Sequence, residues 1–224
     1  MEKYMELIFD YQKRKKMQSH PVFMDIYQEY KLEEEKYGNT KYLLRQAHEN
    51  LSGNGVVKLD DWIMYYFNSG QKRKSIGNTI QANKYCGRTE EELLSLSRQL
   101  LDDINNKKKH KITLQAAANI VFIKIIDEAY ENYMRSCNVM FRLAQANTGI
   151  QFSLTSPLDA ETYDVDIMAK GVSGITGISV VPIDFTDISV YQQKHDIFKM
   201  IWGHDVLFIY ADINGKTRHP IPVF

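Results

Sequence analysis

The chain has 224 residues, of which 44% are hydrophobic and 25% charged, and this ordinary balance favours neither a disordered nor a fibrous protein. Lysine plus arginine and aspartate plus glutamate number 28 each, so no overall positive field indicates a nucleic-acid partner, and any DNA contact must use a local basic surface. No apolar run reaches the roughly 18–20 residues that span a bilayer, and residues 1–10 lack the pattern of a secretion signal. We therefore expect a soluble, cytoplasmic protein with no membrane partner.

Helical periodicity dominates the first two-thirds of the chain. Apolar residues recur at three- and four-residue intervals, which predicts helices over residues 4–15, 21–36, 41–50, 62–66 and 90–104. Thr89 is a predicted N-cap because three glutamates follow it, and Thr113 is a predicted N-cap for the longest periodic stretch, which extends through Leu143. Asn147-Thr148-Gly149 is a predicted helix stop.

Two short basic runs interrupt this helical part. The run Ser69 to Ser75 holds Lys72, Arg73 and Lys74, and its density of Gly, Ser and Lys predicts a loop that contacts phosphate. The second run is Lys107 to Lys111. The alternative for each is a solvated surface segment that binds nothing.

The periodicity changes to that of strands after Gly149. Four strands are predicted, with a helix at Ser189 to Trp202 before the last of them: Ile150 to Leu154, Tyr163 to Ala169, Thr176 to Val181, and Val206 to Tyr210. This order predicts an α+β fold with a mixed sheet. We expect one domain over residues 1–224, with a mainly helical part at 1–148 and an α/β core at 149–224.

Acidic residues cluster at the start of the second predicted strand, at Asp159, Glu161, Asp164 and Asp166. Strand geometry places Asp164 and Asp166 on the same face. Because Mg²⁺ takes one or two protein carboxylates and leaves its other positions to water and phosphate oxygens, such a pair suits phosphodiester hydrolysis. The alternative is an Asp-rich loop that only caps and turns the chain.

The acidic strand, a hairpin through Gly171 to Gly177, a second strand and a following helix and strand resemble the core of the PD-(D/E)xK nuclease superfamily. More narrowly, the chain is similar to the MjaI family of type II restriction endonucleases, which cleave at CTAG sequences. Two blocks within roughly residues 76 to 185 carry this resemblance. One runs from Ile80 to Thr89, and the other from Ser156-Pro157 through Glu161 and Val165-Asp166 to Ile178–Pro182.

The resemblance implies a sheet of restriction-endonuclease-like type that cleaves double-stranded DNA with Mg²⁺. A homodimer is expected, since a two-fold dimer matches a short palindrome. Asp166 would be the principal metal ligand, and Asp164 or Glu161 the second. The helical part would supply dimerisation and recognition. The implied DNA contacts are Lys72, Arg73, Lys74, Asn83, Lys84, Gln192 and Gln193.

The chain departs from this family at two positions of the second strand. Val181 stands where a catalytic lysine is expected, and Ser179 where a carboxylate or amide is usual. Lys170 or Lys194 could substitute for the missing lysine. Alternatively, the protein binds DNA without cutting it, or it is a helical protein-interaction module. We expect the histidines that flank the last helix, His195 and His204, to lie at the surface.

Overall fold

The computed structural model describes residues 2–8, 10–30, 32, 34–53, 55–77, 79–107, 111–172 and 174–223. The chain forms two compact units, one of Met1–Thr40 with Leu59–Ala129 and one of Lys41–Lys58 with Tyr130–Phe224. Among the described residues, no helix is both long and apolar enough to cross a membrane.

The first unit is helical throughout its described secondary structure. Its elements are α1 (Glu2–Met5), α2 (Tyr11–Gln18), α3 (Pro21–Glu29), α4 (Glu34–Tyr37), α6 (Leu59–Ile76), α7 (Ile80–Tyr85), α8 (Glu90–Asn106), α9 (Leu114–Phe122) and a π-helical turn (Ile123–Asp127), while α5 (Thr40–Leu51) falls almost wholly in the second unit.

Side-chain caps fix where the central helices of this unit begin. Thr89 and Glu92 form a capping box at the start of α8, and the Thr113 hydroxyl accepts a hydrogen bond from Ala116 N at the start of α9. Both predicted N-caps are therefore confirmed. Trp62 and Tyr66 of α6 are fully buried in the core of this unit.

The basic run at residues 69–75 is helical, so the predicted loop is wrong. These residues form the last part of α6. Gly70 packs there against the backbone of Arg88, where a side chain would collide. The glycine marks a close approach of two segments instead of a turn. Of the second basic run, residues 108–110 lie outside the described residues.

The second unit contains α5 and the sheet. The remaining elements are α10 (Glu128–Ala146), β1 (Gln151–Leu154), α11 (Pro157–Tyr163), β2 (Ile167–Gly171), β3 (Gly174–Pro182), a 3₁₀ turn (Ile188–Tyr191), α12 (Gln192–Trp202) and β4 (Leu207–Ala211). The division between the units falls inside α10, after Ala129.

The sheet is mixed and has the order β1-β2-β3-β4. The strands β1, β2 and β3 pair antiparallel, with Ile167 opposite Ile178, and β4 lies parallel to β3 after the crossover through α12. The predicted α+β class and the mixed sheet are confirmed. Residue 173, between β2 and β3, lies outside the described residues.

Alternate residues of the strands face opposite layers of this unit. Ile178 and Val180 pack on one face in a cluster with Val139 and Leu143 of α10. On the other face Phe198 of α12 lies over Gly177, where a Cβ atom would meet its ring at 2.8 Å. The strand parity therefore puts Ser179 and Val181 on the α12 face.

The second strand begins later than the sequence predicts. Residues 157–163 form α11, because the Ser156 hydroxyl accepts a hydrogen bond from Asp159 N and Pro157 occupies the first helical position. The acidic residues Asp159 and Glu161 therefore lie on a helix and not at the start of a strand.

Candidate active site

Two carboxylates meet where the chain passes from α11 into β2. Asp164 is the C-cap of α11 and Asp166 directly precedes β2. The side chain of Asp164 is 24% exposed and that of Asp166 is 11% exposed. The predicted pair therefore exists, but it is built by a turn and not by one face of a strand.

The ammonium of Lys41 joins the two carboxylates. Lys41 Nζ lies 2.5 Å from Asp164 Oδ1 and 3.2 Å from Asp166 Oδ1. Burial acts to lower the pKa of Lys41, but the charges of Asp166 and Asp164 outweigh it and raise the pKa above its ordinary value. The lysine is therefore a permanent cation at neutral pH, and its side chain is 33% exposed.

Arg45 supplies a second cation to Asp166. Its Nη2 lies 3.2 Å from Asp166 Oδ1, and its side chain is only 3% exposed. The other carboxylate oxygen, Oδ2, accepts a hydrogen bond of 2.8 Å from Val180 N. Asp166 is thus held by a buried guanidinium on one side and by the backbone of β3 on the other.

A left-handed turn aims the carboxylate of Asp164. Asp164 has φ 55° and ψ 32°, and it is the one non-glycine residue with positive φ in the described part of the chain. This conformation costs about 1 kcal/mol, although aspartate tolerates it better than most residues. Hydrogen bonds on both sides hold the turn: Thr155 Oγ1 donates to Val165 O at 2.8 Å, and Ser179 Oγ donates to Asp164 O at 2.8 Å.

His195 of α12 lies next to this turn and is buried, so the expectation of a surface position was wrong. Its Nε2 lies 3.0 Å from Ser179 Oγ, and its ring stacks on Tyr191 and packs against Phe208. Burial lowers the pKa of His195, with the backbone carbonyl of Asp164 acting in the opposite direction. The aromatic neighbours explain the burial, which no local pattern around residue 195 indicates.

The two lysines suggested as substitutes are not brought to the carboxylates. Lys170 is exposed on β2, four residues from Asp166, which corresponds to about 13 Å along a strand. Lys194 lies in the first turn of α12. Within the described part of the chain, it forms no ion pair with Asp164 or Asp166. Gln192 and Gln193 are exposed in the same turn, where Gln192 Nε2 donates to Asp196 Oδ1.

The other residues with implied DNA contacts lie in the first unit. Arg73 is 4% exposed and binds Glu92 and Asn83, so its guanidinium serves the packing of α6 and is closed to solvent. Lys74 is exposed and pairs with Glu91 at 2.9 Å. Lys72 is exposed, and Lys84 Nζ lies over the ring of Tyr85 at 5.3 Å from its centroid.

Lys41 and Arg45 belong to the site, although no pattern in the sequence predicts them there. They lie more than 120 positions before their acidic partners, so no local motif connects them. One signal was present: Lys41 stands in the first turn of α5, where the helix dipole disfavours a cation, and Arg45 follows on the same helix face. Two neighbouring cations in that place indicate a shared anionic partner elsewhere in the fold.

Among the described residues, no group of three or more His, Cys, Asp or Glu side chains is placed to hold a metal ion. The oxygen donors that converge are the two carboxylates of Asp164 and Asp166. Comparisons with models of protein families, with curated proteins and with solved structures found no match to this chain.

Proposed function

We propose that the protein is a Mg²⁺-dependent endonuclease of type II restriction type, which hydrolyses phosphodiester bonds in a short palindromic sequence of double-stranded DNA as a homodimer. The observation that carries this proposal is the convergence of Asp164, Asp166 and Lys41 within 3.2 Å. Two carboxylates and one lysine are the side chains that the resemblance to the PD-(D/E)xK superfamily implies. Here the lysine comes from α5 and not from β3.

The order of elements in the second unit supports the same proposal. The resemblance expects an acidic residue at a strand, a hairpin to a second strand, and then a helix and a further strand. Asp166, β2, β3, α12 and β4 follow one another in this order. In this interpretation the sheet is of restriction-endonuclease-like type.

The donor set fits Mg²⁺ bound partly through its substrate. Mg²⁺ uses one or two protein carboxylates and keeps its other positions for water and phosphate oxygens, so Asp164 and Asp166 suffice as protein ligands. When bound there, Mg²⁺ would supply a water molecule activated for attack on phosphorus. The partial exposure of Asp164 leaves its carboxylate accessible from solvent.

The exposed cation of the site is suited to a phosphate diester. Lys41 is partly exposed and carries a positive charge that can stabilise the charge developing on the phosphate oxygens. Arg45 is only 3% exposed, so its role is to hold the carboxylate of Asp166 and not to contact the substrate.

Substitution of Lys41 tests this function. Lys41→Met removes the ammonium and keeps an unbranched apolar side chain, so we expect Mg²⁺-dependent cleavage of mixed-sequence plasmid DNA to fall about 100-fold or more. Lys170→Met and Lys194→Met are the matched controls, and both should cleave at the rate of the unchanged protein. Equal activity of the Lys41→Met variant would remove the lysine from the proposed reaction.

A second candidate function is DNA binding without cleavage. Val181 is 1% exposed and Ser179 is fully buried, so neither residue of β3 reaches a substrate in place of the family's charged side chains. An unchanged protein that binds duplex DNA in a salt-sensitive manner, yet does not cleave it with Mg²⁺ or Mn²⁺, would favour this candidate. Absence of both binding and cleavage would contradict both candidates.

A further inference from the structure

The turn at Asp164 is held by a buried hydroxyl and a buried imidazole from two other elements. Ser179 of β3 is completely buried, and His195 of α12 is 8% exposed. Their polar atoms meet each other at 3.0 Å, and Ser179 Oγ meets the carbonyl of Asp164 at 2.8 Å. These contacts converge on the one non-glycine residue in the described chain that has a left-handed backbone.

The number of protons that each group carries determines which of His195, Ser179 and Asp164 donates in these hydrogen bonds. A serine hydroxyl has one proton, and that of Ser179 is directed at Asp164 O. The contact between Ser179 Oγ and His195 Nε2 therefore requires the imidazole to donate its Nε2–H. His195 thus orients Ser179, and Ser179 in turn holds the carbonyl of Asp164.

The same turn determines where the Asp164 carboxylate lies. Its side chain reaches Lys41 Nζ at 2.5 Å from this backbone conformation, and a change of φ to the ordinary negative region would swing Cβ to another side of the chain. The neighbouring Asp166 has independent anchors in Val180 N and Arg45. Of the two carboxylates, Asp164 is the one whose position depends on the turn.

We propose that Ser179 and His195 are positioning residues, which hold Asp164 in its left-handed turn so that its carboxylate stands beside Asp166 and Lys41. The strand position where the resemblance expects a carboxylate or amide thus holds a serine that acts through the backbone of Asp164. This inference rests on the proposed function only for its effect on metal binding; the effect on Lys41 is independent of it.

The first experiment measures the reactivity of Lys41 in the full chain without metal or DNA. Ser179→Ala and His195→Leu should release Asp164 from Lys41, so acetylation of Lys41 by a limiting acylating reagent should become about threefold faster, as expected for the loss of a partly exposed ion pair. His195→Gln keeps a donor near the position of Nε2 and should retain the rate of the unchanged protein. Peptide mass spectrometry compares Lys41 with Lys170, whose rate should not change in any variant.

Ser153→Ala, on the exposed part of β1, is the control for loss of a strand hydroxyl and should leave Lys41 unaffected. Thermal unfolding of each variant identifies a change caused by general loosening, which would also raise the rate at other half-buried lysines such as Lys124. Ser179→Ala removes a single oxygen atom and is therefore the less disruptive change. If His195→Leu does not fold, the result for Ser179→Ala decides the test. An unchanged Lys41 rate in folded Ser179→Ala would overturn the inference.

The second experiment measures Mn²⁺ binding by titration calorimetry. We expect Ser179→Ala to weaken Mn²⁺ binding about tenfold, as is usual when a residue that orients a ligand is removed, and His195→Gln to stay close to the unchanged protein. Failure of the unchanged protein to bind Mn²⁺ would overturn the proposed metal-dependent function while the Lys41 result stands. Unchanged Mn²⁺ affinity in Ser179→Ala, with intact binding in the parent, would contradict the positioning role.

Discussion

The carboxylate of Asp166 has a partner at each of its oxygens. Oδ1 faces Lys41 and Arg45, both at 3.2 Å, and Oδ2 accepts from Val180 N. The guanidinium of Arg45 is 3% exposed, so Asp166 neutralises a charge that water cannot reach. A substitution at Asp166 therefore affects folding as well as any reaction.

We expect Asp166→Asn to lower the free energy of unfolding by about 2–4 kcal/mol, because it leaves a buried guanidinium without a counter-charge. Urea denaturation at pH 7 measures this change. Asp205→Asn is the control, since Asp205 is 75% exposed in its pair with Lys199 and should change stability by at most about 0.5 kcal/mol. If Asp166→Asn were as stable as that control, the buried pair would not have the proposed energetic role.

At the scale of elements, α6 contains a glycine, Gly70, because another segment of the chain packs too closely against the helix to leave room for a side chain. A Cβ atom at Gly70 would lie 2.4 Å from the carbonyl carbon of Arg88. Arg88 cannot move away easily, because its guanidinium donates hydrogen bonds of 2.9 Å to the carbonyls of Lys36, Cys86 and Asn83. The close approach of α6 to this segment thus depends on a missing side chain.

Gly70→Ala should consequently destabilise the protein by about 2 kcal/mol, as overpacking does, although alanine in a helix interior is ordinarily favoured over glycine by about 1 kcal/mol. Ser75→Ala on the exposed side of the same helix is the control and should change the stability by less than about 0.5 kcal/mol. Thermal and urea unfolding measure both variants. A stabilised Gly70→Ala variant would mean that the two backbones are farther apart than described.

At the scale of the whole molecule, we expect His48 and His195 to make the stability of the protein sensitive to acid. Burial lowers the pKa of His48, with Arg45 acting in the same direction, and burial also lowers the pKa of His195. A histidine whose pKa is lower in the folded state binds fewer protons there than in the unfolded chain. The free energy of unfolding should therefore be highest above the unfolded pKa of about 6.5 and should fall as the pH decreases below it.

Urea denaturation at pH 7.5 and pH 5.5 tests this dependence. The acidic groups with lowered pKa, such as Asp10 and Glu92, have ordinary values of 3.8 and 4.5 and so contribute little between these two pH values. His48→Gln should show a smaller loss of stability between pH 7.5 and 5.5 than the unchanged protein, because one of the two proton-linked groups is gone. An equal loss would assign the pH dependence to other groups.

Much of the secondary structure follows from local sequence. The N-caps Thr89 and Thr113 and the strands after Gly149 were predicted because capping hydroxyls and apolar alternation act over a few residues. The predictions were wrong where the same local composition is compatible with two kinds of secondary structure. The residues around Gly70 have the composition of a loop but are helical, and the strand predicted from Tyr163 begins at Ile167, after the capped helix α11.

The sequence by itself determined that Asp164 and Asp166 are close, because only one residue separates them along the chain. Only the tertiary structure decided which cations they meet, because Lys41 and Arg45 are separated from them by more than 120 residues and reach them through the packing of α5 in the second unit. The same holds for the left-handed turn of Asp164, whose partners Ser179 and His195 come from β3 and α12. Short-range patterns encode caps and strands, whereas a site assembled from distant segments depends on burial and charge pairing across the whole unit.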